Sequence, residues 1–436
     1  MINEQQEMQK QLGLMEALEQ KWDGVLNEGE AIRSDYRRKV TAVLLENQLK
    51  DGQKYLAETG NVSGITAAGS DPAGFAKFDP VLIGMVRRSM PNLMAYDVFG
   101  VQPMTGPTGL IFAKHARYTN REGAEALFQE ADTGFTGTGT QTGTSPVDDT
   151  YTYGTGMTTA EGEALGGTGT WATFAFDITK ISVTAKTRAL KAGYTIELAQ
   201  DLKSVHGMSA ETELINDMSA EVIAEQNREA IRTMYWVAKP GCAAGTTATP
   251  GTFDLDVDSN GRWSVERFKG LAFQIDRECN HIAQTTRRGR GNFIVTSSDV
   301  ASALAAAGVL DYAPALQGMT NLTVDDTGNT FAGMIGKVKV YVDPYSANLG
   351  AANQYVVAGY KGQNAWDAGI YFAPYIPLQL AKAVDPASLQ PIVALKTRYG
   401  LVQNPFVKKN DGTPDGDTFT SAGNQFYRKF KVLNLQ

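Results

Sequence analysis

Apolar residues recur at helical spacing through the first 58 residues. Leu12, Met15, Leu18 and Leu26, then Val40, Leu44 and Leu45, stand among many Glu, Gln, Lys and Arg, with no proline. The spacing predicts amphipathic helices whose apolar stripe is too thin to bury a core alone, a solvated helical or coiled-coil tail. From Thr59 to Gly74 the composition changes to Gly, Ala, Ser and Thr, which is linker chemistry. Phe78 to Tyr118 then carries an apolar run, Val81 to Val86, ending in Arg87 and Arg88. A Met-Pro-Asn break and an extended segment punctuated by Pro103, Gly106, Pro107 and Gly109 follow. Its chemistry is packing chemistry.

Residues 131 to 170 are more than half Gly or Thr and show no hydrophobic period. Such a stretch cannot build a core. It is expected to be a hairpin arm or a mobile loop, and Thr with Gly favours a flexible β-arm. Phe174 to Ala185 alternates as a strand does. The longest predicted helix runs from about Ala210 to Ala238. Ser209 stands at its N-cap and Glu211 and Glu213 in its first turn. Leu214, Met218, Val222, Ile223, Ala230, Ile231 and Met234 lie on its buried side, and Lys239, Pro240 and Gly241 end it. At 1.5 Å per residue it spans roughly 43 Å, a spine under a sheet. Val265 to Asn280 reads as a helix, Asn292 to Thr296 as a strand, and Ser297, Ser298 and Asp299 open a short Ala-rich helix ending at Gly308. Val338 to Val342, Tyr355 to Tyr360 and Gln390 to Leu401 read as strands.

The composition, 42% hydrophobic and 20% charged over 436 residues, is globular and supplies a sizeable core. A net charge of −7 argues against tight DNA binding, which draws on Lys and Arg. Nothing at the N-terminus has a signal-peptide pattern and no apolar run reaches a membrane span, so a soluble protein made in cytoplasm is expected. Cys242 and Cys279 have no CxxC spacing and read as buried thiols in a reducing compartment. His115, His206 and His281 lie far apart, and no catalytic, cofactor or metal-ligand grouping is visible. Asp256, Asp258, Asn260 and Gly261 match the first half of a calcium loop, but Glu266 falls one residue short and Arg267 occupies the bidentate position. An Asp/Asn-rich turn before a helix is the plainer reading. The run Arg287 to Gly291 (RRGRG) is read as an intersubunit loop in preference to a phosphate site. Leu56-Ala57-Glu58 sits where the charged region gives way to the linker, an exposed joint of the kind proteases cut. Similar triplets stand at Leu14-Met15-Glu16, Leu26-Asn27-Glu28 and Leu44-Leu45-Glu46, whereas Ile223-Ala224-Glu225 lies inside the long helix.

The opening segment, Lys180 to Met208, Ala210 to Trp236, Arg262 to Asp276, Arg287 to Leu304 and Gln390 to Phe406 together resemble the major capsid proteins of T4-type tailed phages. The resemblance covers most of the chain after about residue 75. It implies the α+β HK97 fold and a chain that self-assembles into hexameric capsomers of an icosahedral or prolate head around double-stranded phage DNA. It implies a peripheral domain over 81–112, 176–240 and 385–436, an extended E-loop over 113–175, an axial domain over 265–384 and an N-terminal arm over 59–80. Residues 1–58 resemble a scaffold-like propeptide removed by a prohead protease, with Leu56, Ala57, Glu58 and Thr59 as the cleavage site. Implied partners are neighbouring copies and capsomers, a vertex protein, scaffold and core proteins, portal and decoration proteins, and DNA only non-specifically. No cofactor and no membrane are implied, and the protein is expected in the virion after assembly in host cytoplasm. Within the same family a pentameric vertex protein is the alternative. An enzyme, disfavoured by the shortage of His and Cys, and a host-binding surface protein are the alternatives from other classes.

Overall fold

The computed structural model describes residues 2–27, 32, 34–58, 93–127, 130–143, 150–167, 169–242, 247–259, 263–312, 330–343, 345, 354–364, 367–384, 390–407 and 419–435, and the structural statements below concern these residues. The linker and arm expected over 59–80, Thr59 itself, and the apolar run 81–86 with its arginines lie outside them. The chain divides into two compact units, Met1–Gly109 with Ser182–Gln436, and Leu110–Ile181.

The first unit is built on two sheets. One has four strands in the order β1 (Gly100–Val101), β12 (Ile370–Val384), β13 (Pro391–Gln403) and β4 (Lys186–Gly193). The other has eight. Along its main path run β5 (Ala238–Pro240), β14 (Asn424–Leu433), β11 (Gln354–Gly359), β7 (Phe293–Thr296), β10 (Val338–Val342), β9 (Thr330–Ile335) and β8 (Asp311–Tyr312), and β6 (Thr252–Asp254) pairs with β14. β7 and β10 run parallel, and β7–β11 and β11–β14 antiparallel. β7 is buried at all four positions, as an apolar run with no alternation requires of a central strand.

The predicted spine is a helix, Ala210–Val237, preceded by Ser209 at a cap position without a side-chain bond. Its buried side holds the expected Met218, Val222, Ile223, Ala230, Ile231 and Met234, together with Gln226 and Asn227. These two amides are fixed by partners: Asn227 Oδ1 accepts from Met94 N at 3.0 Å, and Gln226 Nε2 donates to Thr397 Oγ1 at 3.4 Å. The Asn227 amide is held by its bond to Met94, whereas Gln226 Oε1 is buried without a partner among the described residues. The helices Ser264–Thr286 and Ser298–Ala306 pack against the eight-stranded sheet, and Arg287 ends the first in the left-handed region.

The first 58 residues depart from the sequence expectation. Helices α1 (Ile2–Leu26) and α2 (Asp35–Glu58) pair with each other, and α2 packs on β12. Every residue from Val40 to Leu49 is buried, so over nearly three turns α2 is covered on all sides. A helix covered all round belongs to a core. The solvated tail expected from spacing is therefore a packed element. The sequence signal was the unbroken run Val40-Thr41-Ala42-Val43-Leu44-Leu45, which a search for a stripe reads past.

The second unit holds a two-stranded ribbon of β2 (Thr108–Tyr118) and β3 (Phe174–Thr184). Between the strands, the Gly/Thr-rich chain folds back on itself through bridges Thr138–Thr155 and Thr142–Thr152. Glycine makes this approach possible: a Cβ on Gly137 would stand 2.1 Å from Thr155 O, and one on Gly154 2.5 Å from Gly134 Cα. Threonine hydroxyls supply the remaining order, as in the 2.6 Å Thr142–Thr152 bond. The segment is held by backbone proximity and hydroxyls in place of an apolar core.

Candidate functional site

Helix α2 is seated by three polar anchors. The Tyr36 hydroxyl donates to Val101 O of β1. Arg37 pairs with Asp97 at 2.8 Å and lies 5.4 Å from the Tyr96 ring centroid. Asn47 Nδ2 donates to Met104 O at 2.8 Å and to Tyr375 O at 3.0 Å. The Tyr375 contact lies at a break in the β12–β13 ladder. Gln102 N and Met104 N donate to Phe372 O and Pro374 O on one side of β12, and on its other side the register with β13 shifts between Pro374 and Ile376. On its other side α2 meets α1, where Glu46 accepts from Lys21 Nζ at 2.7 Å and Trp22 Nε1 at 3.3 Å. Beneath the Arg37 seat, Lys361 donates to Tyr96 O. Burial, with Arg37 and Lys339 nearby and Asp97 opposing them, draws its amine down to about 8.

Of the expected cleavage residues, Leu56, Ala57 and Glu58 form the last turn of α2, and Thr59 lies outside the described residues. A protease that takes extended backbone must unwind that turn, and helix ends open at little cost. The upstream triplet Leu44-Leu45-Glu46 is buried, and Leu14 is exposed on α1.

The ribbon presents large hydrophobics on its exposed side: Leu110 and Phe112 of β2 and Phe174, Phe176 and Ile178 of β3, each half or more exposed. Lys114 lies 5.1 Å from the Phe176 ring centroid. The covered side mixes buried Ile111 and Ile181 with a polar set: His115, 3% exposed, lies between Glu125 at 2.8 Å and Thr179 at 3.0 Å. An apolar face of this extent marks a surface made to be covered.

The remaining sequence candidates are engaged locally. Asp256 pairs with Arg267, the side chain that occupies the glutamate position of a calcium loop. Asp258 accepts from Ala248 N at 2.8 Å and Asp254 N at 2.9 Å, which is turn chemistry. Asn260 and Gly261 lie outside the described residues. Among the described residues no group of three or more His, Cys, Asp or Glu is placed to hold a metal ion. In RRGRG, Arg288 pairs with Asp367 at 3.3 Å and lies 4.7 Å from the Phe406 ring centroid, and Arg290 pairs with Asp276. His206 caps helix Ile196–Val205, and His281 stands beside Arg428 at 3.1 Å. Cys242 and Cys279 are buried, and burial beside Glu278 pushes both thiols up to about 12, far from a nucleophile's range. Among the described residues no helix is long and apolar enough to cross a membrane.

Two buried polar joints tie the elements of the first unit together, and neither was visible in sequence. Asp343, at the end of β10, accepts from Arg228 Nη1 at 2.9 and 2.8 Å, Tyr235 Oη at 2.9 Å and Tyr355 Oη at 2.8 Å. It so binds the spine helix to the sheet. Burial alone raises a carboxyl, but these donors outweigh it and hold Asp343 below the usual carboxylate range. In the second joint Glu278 accepts from Arg428 Nε at 2.6 Å, Cys242 N at 2.8 Å and Gln274 Nε2 at 2.9 Å. Along the spine an open hollow of about 510 Å³ is lined by Arg188, Glu225, Arg228, Glu229, Arg232, Thr233, Trp236 and Phe419.

Buried structural joints, an unpartnered apolar ribbon and titratable groups spent on neighbours are the marks of a protein that works by contact. The family model described as Major capsid protein Gp23 matches residues 75–432. The chain belongs to that family. The major capsid protein of Salmonella phage ViI is 41% identical over 447 residues, covering 96% of this chain and 98% of its own. That of Enterobacteria phage T4 is 36% identical, covering 90% and 92%. The T4 capsid vertex protein matches at 29% identity over 54% of this chain. The weight of similarity thus falls on the major capsid proteins, and this chain is one of them.

Proposed function

We propose that this capsid protein forms hexameric capsomers which join into the closed head around double-stranded phage DNA, and that it matures by cleavage after Glu58. The observation that carries the first part is the ribbon's apolar side. Five large hydrophobics face out while the polar His115–Glu125–Thr179 set faces in. The arrangement makes sense when residues 113–175 lie over a neighbouring subunit. A subunit gripped by several neighbours needs only modest strength at each contact. Residues 81–112, 176–240 and 385–436 then serve as the peripheral domain and 265–384 as the axial domain, with the spine helix giving rigidity. A structural role fits the rest of the chain: its histidines sit apart, His115 and His281 are each held by local partners, and its two thiols are buried. The acidic balance suits a wall that contacts packaged DNA without specific grip, and assembly takes place in the host cytoplasm.

Substituting Phe176→Asp with Phe112→Ser tests the assembly reading. The expected result is a folded subunit, by circular dichroism, that yields no hexamers or shells in negative-stain micrographs. Shells at wild-type yield would refute it. For maturation, mass spectrometry of particle protein is expected to find Thr59 as the N-terminal residue, and particle protein still covalently joined to residues 1–58 would refute it.

A further inference from the structure

We propose that the body of this protein carries a receptor site for helix α2, so that cutting the chain after Glu58 leaves the excised segment bound until a second event dislodges it. This rests on the propeptide reading above. All three anchors, Tyr36, Arg37 and Asn47, and the whole buried stretch from Val40 to Leu49 lie upstream of the cut. None of them depends on the 58–59 peptide bond.

The receptor side is built, and is incomplete without its occupant. Tyr375 stands where the β12–β13 register shifts between Pro374 and Ile376, and Met104 N donates to Pro374 O beside it. The Asn47 amide donates to Met104 O and Tyr375 O together, so one side chain of α2 ties the segment after β1 to β12. Val101 O, on the open edge strand of the four-stranded sheet, takes the Tyr36 hydroxyl. Asp97 takes Arg37, with the Tyr96 ring beneath the guanidinium. Carbonyls left in a buried groove with no donor are unfavourable, so the empty site favours recapture of the helix. The occupant is specified: a helix with a buried apolar stretch, a hydroxyl and a guanidinium one turn before it, and a primary amide at its far end.

The test uses the full chain with a thrombin sequence inserted between Glu58 and Thr59. After cutting, fragment 1–58 is expected to co-elute with the remainder on gel filtration at micromolar concentration, with amides 40–49 still protected from hydrogen exchange. Arg37→Ala with Asn47→Ala, both confined to the departing fragment so that the body keeps its sequence, is expected to weaken retention about 100-fold, roughly tenfold for each anchor. A wild-type fragment that separates as soon as the bond is cut, or a double variant retained as tightly as wild type, would overturn the proposal. The engineered cut needs no natural protease. Particle protein found uncut after Glu58 would therefore sink the maturation reading and leave this one standing.

Discussion

Replacing Asp343 by Asn removes one charge and changes almost no volume. The carboxylate is fully buried, whereas Arg228 is 28% exposed. Removing one partner of a fully buried ion pair costs about 3–5 kcal/mol. Here the guanidinium can recover some hydration, and Asn keeps one acceptor for the two tyrosines, so the expected cost is about 2–3 kcal/mol. The assay is urea unfolding of the unassembled chain, followed by circular dichroism, for wild type, Asp343→Asn, Arg228→Met and the double variant. The four should show a coupling of about 1.5–3 kcal/mol between the sites. The pH dependence has a fixed sign. Asp343 is held below the usual carboxylate range in the fold, so its contribution is full above the unfolded value near 3.9 and is lost as pH falls through the folded one. The gap between wild type and Asp343→Asn should be constant from about pH 5 to 8 and close in stronger acid. A coupling under about 0.5 kcal/mol, or a gap that ignores acid, would refute the account of this joint.

Three further outcomes are expected. Glu278→Ala strands the buried Arg428 guanidinium and the Cys242 N–H, for a loss of about 3–5 kcal/mol in the same titration, and Glu278→Gln should lose less. Dislodging residues 1–58 takes the Arg37 charge away from Lys361, so the inflection in its acylation, read by mass spectrometry against pH, should move up from about 8; an unmoved inflection contradicts the described seat. Gly359→Ala would place a Cβ 2.2 Å from Phe293 Cζ in the centre of the eight-stranded sheet, costing about 1–3 kcal/mol by calorimetry.

What the sequence made legible were elements with a clean period. The spine helix, β7 and the Ala-rich helix Ser298–Ala306 fall where their patterns place them. β12 was missed because Pro374 and Pro377 argue against a strand, and the fold admits them at register shifts. β14 was missed because Arg428, a charge in a strand, gives no hint that Glu278, 150 residues away, neutralises it. The ribbon strand Thr108–Tyr118 reads in sequence only as an extended segment, since large hydrophobics, Leu110 and Phe112, occupy its exposed side. The seat of α2 was illegible for the same reason as both joints: Asn47 and Asp343 acquire meaning only from partners distant in the chain.

Asn47 and Tyr375 are separated by 328 positions. At a ribosomal pace of about 5–20 residues per second, the helix emerges roughly 16–65 s before the strand on which it will rest. During that interval its middle, Val40 to Leu49, can meet α1 and the segment from Tyr96 to Met104 but lacks the strand that completes its cover. The first piece made is thus among the last to find its place, and newly synthesised chains should be most prone to clump in the interval before β12 leaves the exit tunnel.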